Sequence, residues 1–442
     1  MQLTDLSKHA KQILQSSLKA VDPYTLIKQQ IRRHGDVLIL PDQYEVDLSR
    51  FKKIYLCGAG KGAAPMIRAM EEMLGKNLHD GTVIVKYEHT DRLQKTRLFE
   101  AGHPVPDNNT LQATNYLLDS LRDISEKDCV FVLLTGGGSA LMESLPREIT
   151  LDDLQKLNKV LLKCSATIQE INCVRKHISK IKGGQLARHI YPAQCVTLAL
   201  SDVIGDDLSV IASGPTSPDN STYSEALSIF KKHNIEEDIP TSIFTYIQNG
   251  LQGKIPETPH SDDKIFNTAH NLVIGNNRLA LNIAQKEAQM LGYNTLILTS
   301  LLQGEAREIG TVIASIIQEI QATDTPVKKP ACFLLGGEPT VRIKGQGKGG
   351  RNQELALAIA LTNIKNPFLF ISCGSDGTDG PTDAAGALVT HETVRRAYEK
   401  GLNAIDYLNN NDSYNFFDPL GDLIKTGPTR TNVMDIIFAL VP

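Results

Sequence analysis

Two rhythms alternate along this chain. Over residues 5 to 34 apolar side chains recur at helical spacing, with Leu6, Ala10, Ile13, Leu14 and Leu18 marking one face until Pro23 and Pro41 interrupt it. Short unbroken apolar runs then alternate with longer helix-patterned stretches. Runs at residues 53 to 57, 82 to 86 and 128 to 134 are separated by predicted helices at 63 to 74 and 108 to 120. That alternation predicts βαβ units and a parallel sheet. Helical patterns at 151 to 162 and 165 to 187 lead to one more buried strand at 195 to 200.

A polar tract at residues 236 to 268, carrying Pro240, Pro256 and Pro259, breaks the rhythm and has room for one modest helix. The domain boundary is expected there, giving an N-terminal domain of residues 1 to 260 and a C-terminal domain of 261 to 442. Beyond it strands are predicted at 272 to 274, 294 to 298, 331 to 335 and 367 to 373, with helices at 278 to 291, 305 to 322 and 352 to 362. Both halves read as α/β, and ligands of such folds gather at the carboxyl ends of the strands.

Composition narrows the function classes. The 442 residues exceed what one core usually organises, which agrees with two domains. A formal charge of −4 provides no global field for nucleic acid or anionic membrane, so any anion site must be local. The seven cysteines are scattered without C-x-x-C spacing and read as reduced core residues, not zinc ligands. No stretch reaches the roughly 18 apolar residues of a membrane span and the N-terminus lacks a secretory pattern, so a cytoplasmic protein is expected.

Candidate chemistry sits in six segments. Gly58, Gly60 and Ala63 satisfy G-x-G-x-x-A between a strand and a helix, a dinucleotide signature, but the next acid, Glu88, lies too far along for the usual ribose contact. Lys61 in the same turn opposes the helix dipole unless an anion offsets it. Gly136, Gly137, Gly138 and Ser139 follow the next strand as a candidate anion nest, with Ser139 as cap or phosphate donor. The stretch 171 to 188, with Arg175, Lys176, Lys180 and Lys182, is either a solvated basic face or the wall of a substrate cleft. Near residue 350 a glycine-rich basic loop (Gly347, Lys348, Gly349, Gly350, Arg351, Asn352) runs into a helix whose first N–H groups should receive an anion. Asp202 and Asp376 are the first carboxylates on two loops that follow strands; they suit Mg²⁺ or the proton of an attacking hydroxyl. Cations, glycine nests and carboxylates without a nucleophile–base pair point to phosphoryl transfer.

Taken together, Gly58-Ala-Gly-Lys61, Leu134-Thr-Gly-Gly-Gly-Ser139, Ile181-Lys-Gly-Gly184, Ser201-Asp-Val-Ile-Gly-Asp206, Ala212-Ser-Gly-Pro-Thr216, Gly347 to Glu354, Ser375 to Gly386, Lys425 to Thr429 and Thr431-Asn-Val-Met-Asp435 resemble the glycerate 2-kinases of the MOFRL family, nearly end to end. The resemblance implies ATP-dependent phosphorylation of D-glycerate at its 2-hydroxyl, with Mg²⁺. It also implies a larger N-terminal Rossmann-like three-layer domain and a smaller C-terminal α/β domain, with the active site in the cleft between them. By the same resemblance Lys61 and Arg351 are catalytic; the carboxylates Asp202 and Asp376, read from their loops, are expected to hold the metal or orient the 2-hydroxyl. Gly58, Gly60, Gly136 to Ser139, Lys182, Gly347, Gly349, Gly350 and Asn352 would bind phosphate. Whether the chain acts alone or as a homodimer is left open. The rival readings are an NAD(P)H-dependent hydroxypyruvate reductase and a non-catalytic sugar-phosphate binder.

Overall fold

The structure is a computed structural model that describes residues 2–442. Its contacts divide the chain into two units, Pro23–Ile274 and a second one that joins the residues up to Asp22 to Gly275–Pro442. This differs from the boundary expected near residue 260. The strand Ala269–Gly275, read from sequence as the start of the second domain, instead completes the first sheet as its edge. The helix Leu3–Ala20 leaves its sequence neighbours to pack on Asn277–Met290, where Gln12 and Ser16 both donate to Glu287, at 2.6 and 3.0 Å.

In the Pro23–Ile274 unit six strands lie in the order Arg97–Ala101, Leu78–Lys86, Lys53–Ala59, Asp128–Leu134, Gln194–Leu200, Ala269–Gly275. Numbered along the chain this is 3-2-1-4-5-6, a doubly wound order, and the first five strands pair in parallel. The central strands are buried on both faces, which is why they read as unbroken apolar runs. The order reverses between Lys53–Ala59 and Asp128–Leu134, whose registers end together at Ala59 and Leu134. Consequently the first two glycine loops leave the sheet side by side.

Beside the sheet, the helices Leu151–Lys163, Ile168–His177, Tyr223–Lys232 and Thr241–Leu251 bury a core of their own around Leu157, Leu161, Val174, Phe230 and Ile247. Three of them begin with reciprocal capping boxes, Thr150 with Asp153, Thr167 with Glu170 and Thr222 with Glu225. The helix expected over 165 to 187 spans only Ile168–His177, and the chain resumes as Gln185–Ile190 after Gly183 and Gly184, both at positive φ (55° and 78°), turn it.

The other unit holds a mixed sheet ordered Asn294–Leu302, Ala331–Gly337, Asp435–Val441, Leu369–Gly374, Gly386–Thr390, Leu423–Ile424. Only its first pair is parallel. The strand Asp435–Val441 runs antiparallel between Ala331–Gly337 and Leu369–Gly374, pairing Asp435 with both Gly337 and Gly374. A carboxylate is thereby set at the carboxyl ends of two strands. No described helix is long and apolar enough to cross a membrane, and all seven cysteines are free thiols.

Candidate functional site

At the reversal point of the doubly wound sheet the two glycine loops are stitched together. Lys61 N–H donates to Gly136 O at 2.9 Å, Thr135 N–H to Ala59 O at 3.1 Å, and Gly62 N–H to Thr135 Oγ1 at 3.0 Å. Gly60, at φ 137°, could carry no side chain without striking Thr135 Oγ1. Gly58 lies inside its strand against Leu133, so its missing Cβ serves sheet packing rather than a ligand.

The Gly136–Ser139 turn is tighter than a helix-capping nest. Gly137 is left-handed at φ 86°, Gly138 N–H closes back onto Thr135 O at 3.1 Å, and the helix Gly138–Leu141 is one turn long. Ser139 therefore does not cap it. Its hydroxyl meets that of Ser213 at 2.8 Å, and Ser213 donates to Asn172 Oδ1 at 2.9 Å. Ala212 and Ser213 both hold positive φ (51° and 61°), a strained pair that persists only where surroundings over-determine it. The sequence reading assigned no role to Ser213 or Asn172, although the Ala-Ser-Gly-Pro-Thr run is where the strain sits.

Lys61 has cationic company. A Cβ on Gly137 would lie 2.9 Å from the His103 ring and 3.5 Å from Lys61 Cγ, and His89 Nδ1 is 3.1 Å from Lys61 O. Burial first, then the charges of Lys61, Lys86 and His89, hold the His103 pKa down to about 4. Unfolded, the same imidazole takes its proton near 6.5. Its contribution to stability is thus complete above about pH 6.5 and lost as pH falls toward about 4. Urea midpoints measured across that window should decline, and His103→Asn should remove that part of the slope; an identical decline in the variant would assign the acid sensitivity elsewhere.

Lys182 does not line a cleft wall. It is 1% exposed, with Nζ 2.7 Å from Glu143 Oε2 and 3.0 Å from Met142 O, while Ser179 Oγ donates to Glu143 Oε1 at 2.5 Å. Lys176 is likewise buried against Asp219 at 3.2 Å. Buried lysines need such partners, so these two cations are structural. Arg175 donates to Asn158 Oδ1 at 2.8 Å, and burial lowers its pKa.

In the other unit the late glycine loop also differs from the expected anion nest. Lys344 and Gly345 N–H donate to Asn411 Oδ1, Gly347 N–H to Asn410 O, and Lys348 N–H to Asp412 Oδ1. Side chains at Gly345, Gly347 and Gly349 would run into residues 410 to 413, which is why the loop is glycine-rich. The N–H of Gly347 is thus committed within the unit, leaving Gly349 and Gly350 as the loop's candidates. Nor is the following helix, Arg351–Ala360, open to an anion. Asp379 already receives Asn352 N–H at 3.1 Å and Gln353 N–H at 2.9 Å. Asn352 is 1% exposed; its amide donates to Asp379 and Asp435 and accepts from Ser372 Oγ, so it positions carboxylates and touches no solvent-borne group.

What these carboxylates hold is Arg351. Its Nε and one terminal nitrogen donate to the two oxygens of Asp435, at 2.6 and 2.9 Å, and the other terminal nitrogen reaches Glu338 at 2.8 Å. Asp435 is fully buried, whereas the Arg351 side chain is 31% exposed and that of Glu338 47%. Burial alone would weaken the guanidinium's hold on its proton, but Asp435 and Glu338 more than offset it and raise its pKa. Asp379, buried and beside Asp435, is pushed up to about 6. Sequence reasoning missed Glu338 and Asp435 because each reaches Arg351 from a distant strand end.

Asp376 Oδ1 accepts from the Thr378 N–H and hydroxyl, both at 3.0 Å, closing a turn after Leu369–Gly374. Asp202 follows Gln194–Leu200 at a partly exposed position. Among the described residues no group of three or more His, Cys, Asp or Glu could hold a metal by itself. Mg²⁺ in phosphoryl-transfer sites typically takes one or two carboxylates and fills its shell with phosphate oxygens and water. The hard oxygens of Asp202 and Asp376 fit that ion in kind.

Comparison with known proteins covers the whole chain. Residues 9–248 match a family model described as a domain of unknown function, DUF4147, and residues 331–435 match the MOFRL family. A D-glycerate 2-kinase of Thermotoga maritima is 43% identical over 442 residues, 99% of this chain and 98% of that one. The crystal structure of a glycerate kinase from the same organism superposes with a TM-score of 0.88 at 41% identity, covering 99% of this chain and 100% of that one. A putative hydroxypyruvate reductase of Agrobacterium vitis is 38% identical over 388 residues, 87% of this chain and 98% of that one.

Proposed function

The chain belongs to the glycerate kinase family, and on that premise we propose that it transfers the γ-phosphoryl group of ATP to the 2-hydroxyl of D-glycerate, giving 2-phosphoglycerate and ADP. The observation that carries this reading is end-to-end identity of 43% to a D-glycerate 2-kinase, supported by a lysine in the glycine turn at the sheet's reversal point and a carboxylate-braced arginine.

In the proposed reaction the 2-hydroxyl oxygen bonds to the γ-phosphorus as the bond to the β,γ-bridging oxygen breaks, and the hydroxyl proton passes to a carboxylate, Asp202 or Asp376. Lys61 and Arg351 neutralise charge on the phosphoryl oxygens, a role that needs fixed position more than covalent chemistry. Asp435 fixes the plane of Arg351. Glu338, the exposed partner, is the one a phosphoryl oxygen would displace. Backbone N–H groups of Gly136, Gly137 and Ser139 in the first unit, and of Gly349 and Gly350 in the other, would bind anionic substrate groups, the Gly138 N–H being committed to Thr135 O. Mg²⁺ held by Asp202 or Asp376 would supply charge neutralisation across the phosphates.

The reductase reading draws on the G-x-G-x-x-A turn and on the name of one relative. Against it, the strand that should present the ribose-binding acid ends in Lys86, and Lys86 adds its charge to those of Lys61 and His89 around His103. Purified protein given D-glycerate, ATP and Mg²⁺ and coupled to enolase, which accepts only the 2-phosphate, should produce phosphoenolpyruvate without added mutase. Silence there, with NADH consumed on hydroxypyruvate, would make the reductase reading correct.

A further inference from the structure

The helices flanking the doubly wound sheet carry a feature the kinase reaction does not use. A cavity of about 620 Å³ opens among Pro146–Glu148, Lys180, the helix Thr241–Leu251 and the turn after it. Its size is that of a small-molecule site rather than a packing defect. Two short loops form one side, tied together where Lys180 N–H donates to Ser144 O at 2.8 Å. The opposite side is one face of the helix, from Thr241 through Tyr246 to Asn249.

The charge on this lining is lopsided. Arg147, Lys180 and Lys254 face one carboxylate, Glu148. Arg147 and Lys180 form no ion pair and no side-chain hydrogen bond with any other described residue, and Lys254 reaches only the amide oxygen of Asn249, at 3.4 Å. Unpaired cations around a concavity add their fields inside it, where a surface scatter of lysines would not. The helix Thr241–Leu251 begins at the same cavity. Pro240 occupies its cap position and offers no side-chain cap, and Thr241 and Ser242 of the first turn line the cavity, so the positive end of the dipole lies at its wall. Around these, Glu148, Thr245, Tyr246 and Asn249 supply hydrogen-bonding groups suited to hydroxyls.

We propose that this cavity is a second ligand site, for a small phosphate monoester bearing several hydroxyls. Arg147, Lys180 and the first turn of Thr241–Leu251 take the phosphate; Glu148, Tyr246 and Asn249 take the hydroxyls. The single carboxylate disfavours a second phosphate, which separates this ligand class from nucleoside di- and triphosphates. The assignment is independent of the kinase reading.

Glucose 6-phosphate and unphosphorylated glucose are suitable probes, titrated calorimetrically into the wild type, Arg147→Ala/Lys180→Ala, Lys254→Glu and Arg351→Ala. All three cavity positions are exposed, so these variants should fold. Expected is saturable binding of glucose 6-phosphate to the wild type and Arg351→Ala alike, at least tenfold weaker binding to both cavity variants, and no heat from glucose. Absence of saturable binding to the wild type would overturn the proposal. So would binding that survives in the double variant but vanishes in Arg351→Ala, since the probe would then report the catalytic loops.

Discussion

Arg351→Lys is expected to lower kcat for glycerate phosphorylation by a factor of ~10² to 10³, and Arg351→Ala by ~10³ or more, in line with the cost of losing an arginine clamp in phosphoryl transfer. Lysine keeps the charge but cannot bridge both oxygens of Asp435 while reaching Glu338, as Arg351 does with three nitrogens. The alanine variant carries a second penalty. It strands Asp435 as a buried carboxylate whose main cation is gone, at a cost of about 3–5 kcal/mol in stability. The lysine variant should melt close to the wild type, which separates chemistry from folding. Near-normal kcat in a well-folded Arg351→Lys protein would remove Arg351 from the mechanism.

A comparably large stability loss is expected at Glu143→Ala, which leaves Lys182 without its carboxylate at a fully buried position. About 3–5 kcal/mol is the scale for breaking such a pair from one side. Burial already lowers the Lys182 pKa, with Glu143 opposing the shift; removing Glu143 leaves burial and the nearby Arg175 charge unopposed. A base whose folded pKa is depressed loses stability as pH falls and regains it as pH rises toward its unfolded value near 10.4. The deficit of Glu143→Ala, read from denaturant midpoints, should therefore shrink between about pH 7 and pH 10. Glu143→Met/Lys182→Met, which removes both charges at similar volume, should recover most of it. A deficit that is flat with pH would show that lost packing, not the lysine charge, sets the cost.

Strands whose neighbours come from the same stretch of chain are legible in the residue pattern alone. The runs at 53 to 57, 128 to 134 and 195 to 200 are apolar on both faces because helices cover both, and the glycine turns after the first two mark the reversal point. Elsewhere the pattern is ambiguous in a definable way. Glycines that let a loop approach residues 410 to 413 look the same in sequence as glycines that let it approach a phosphate. The roles of Lys182 and Asn352 depend on partners such as Glu143, Asp379 and Asp435, far away in the chain. The polar edge strand Arg97–Ala101 and the inserted strand Asp435–Val441 escape notice because a strand's place is set by what lies beside it, and its own residues do not record that.

The docking of Leu3–Ala20 on Asn277–Met290 imposes an order on events during synthesis. The helix emerges well before its platform, with Leu6, Ala10, Ile13 and Leu14 forming the apolar face that will be buried, because the whole of Pro23–Ile274 is made between the two. A complete sheet can assemble in that interval while this stripe stays uncovered, open to chaperones or to a neighbouring nascent chain. A helix made before Pro23–Ile274 is thus placed only after it, and the vulnerable interval is the time that unit takes to be synthesised.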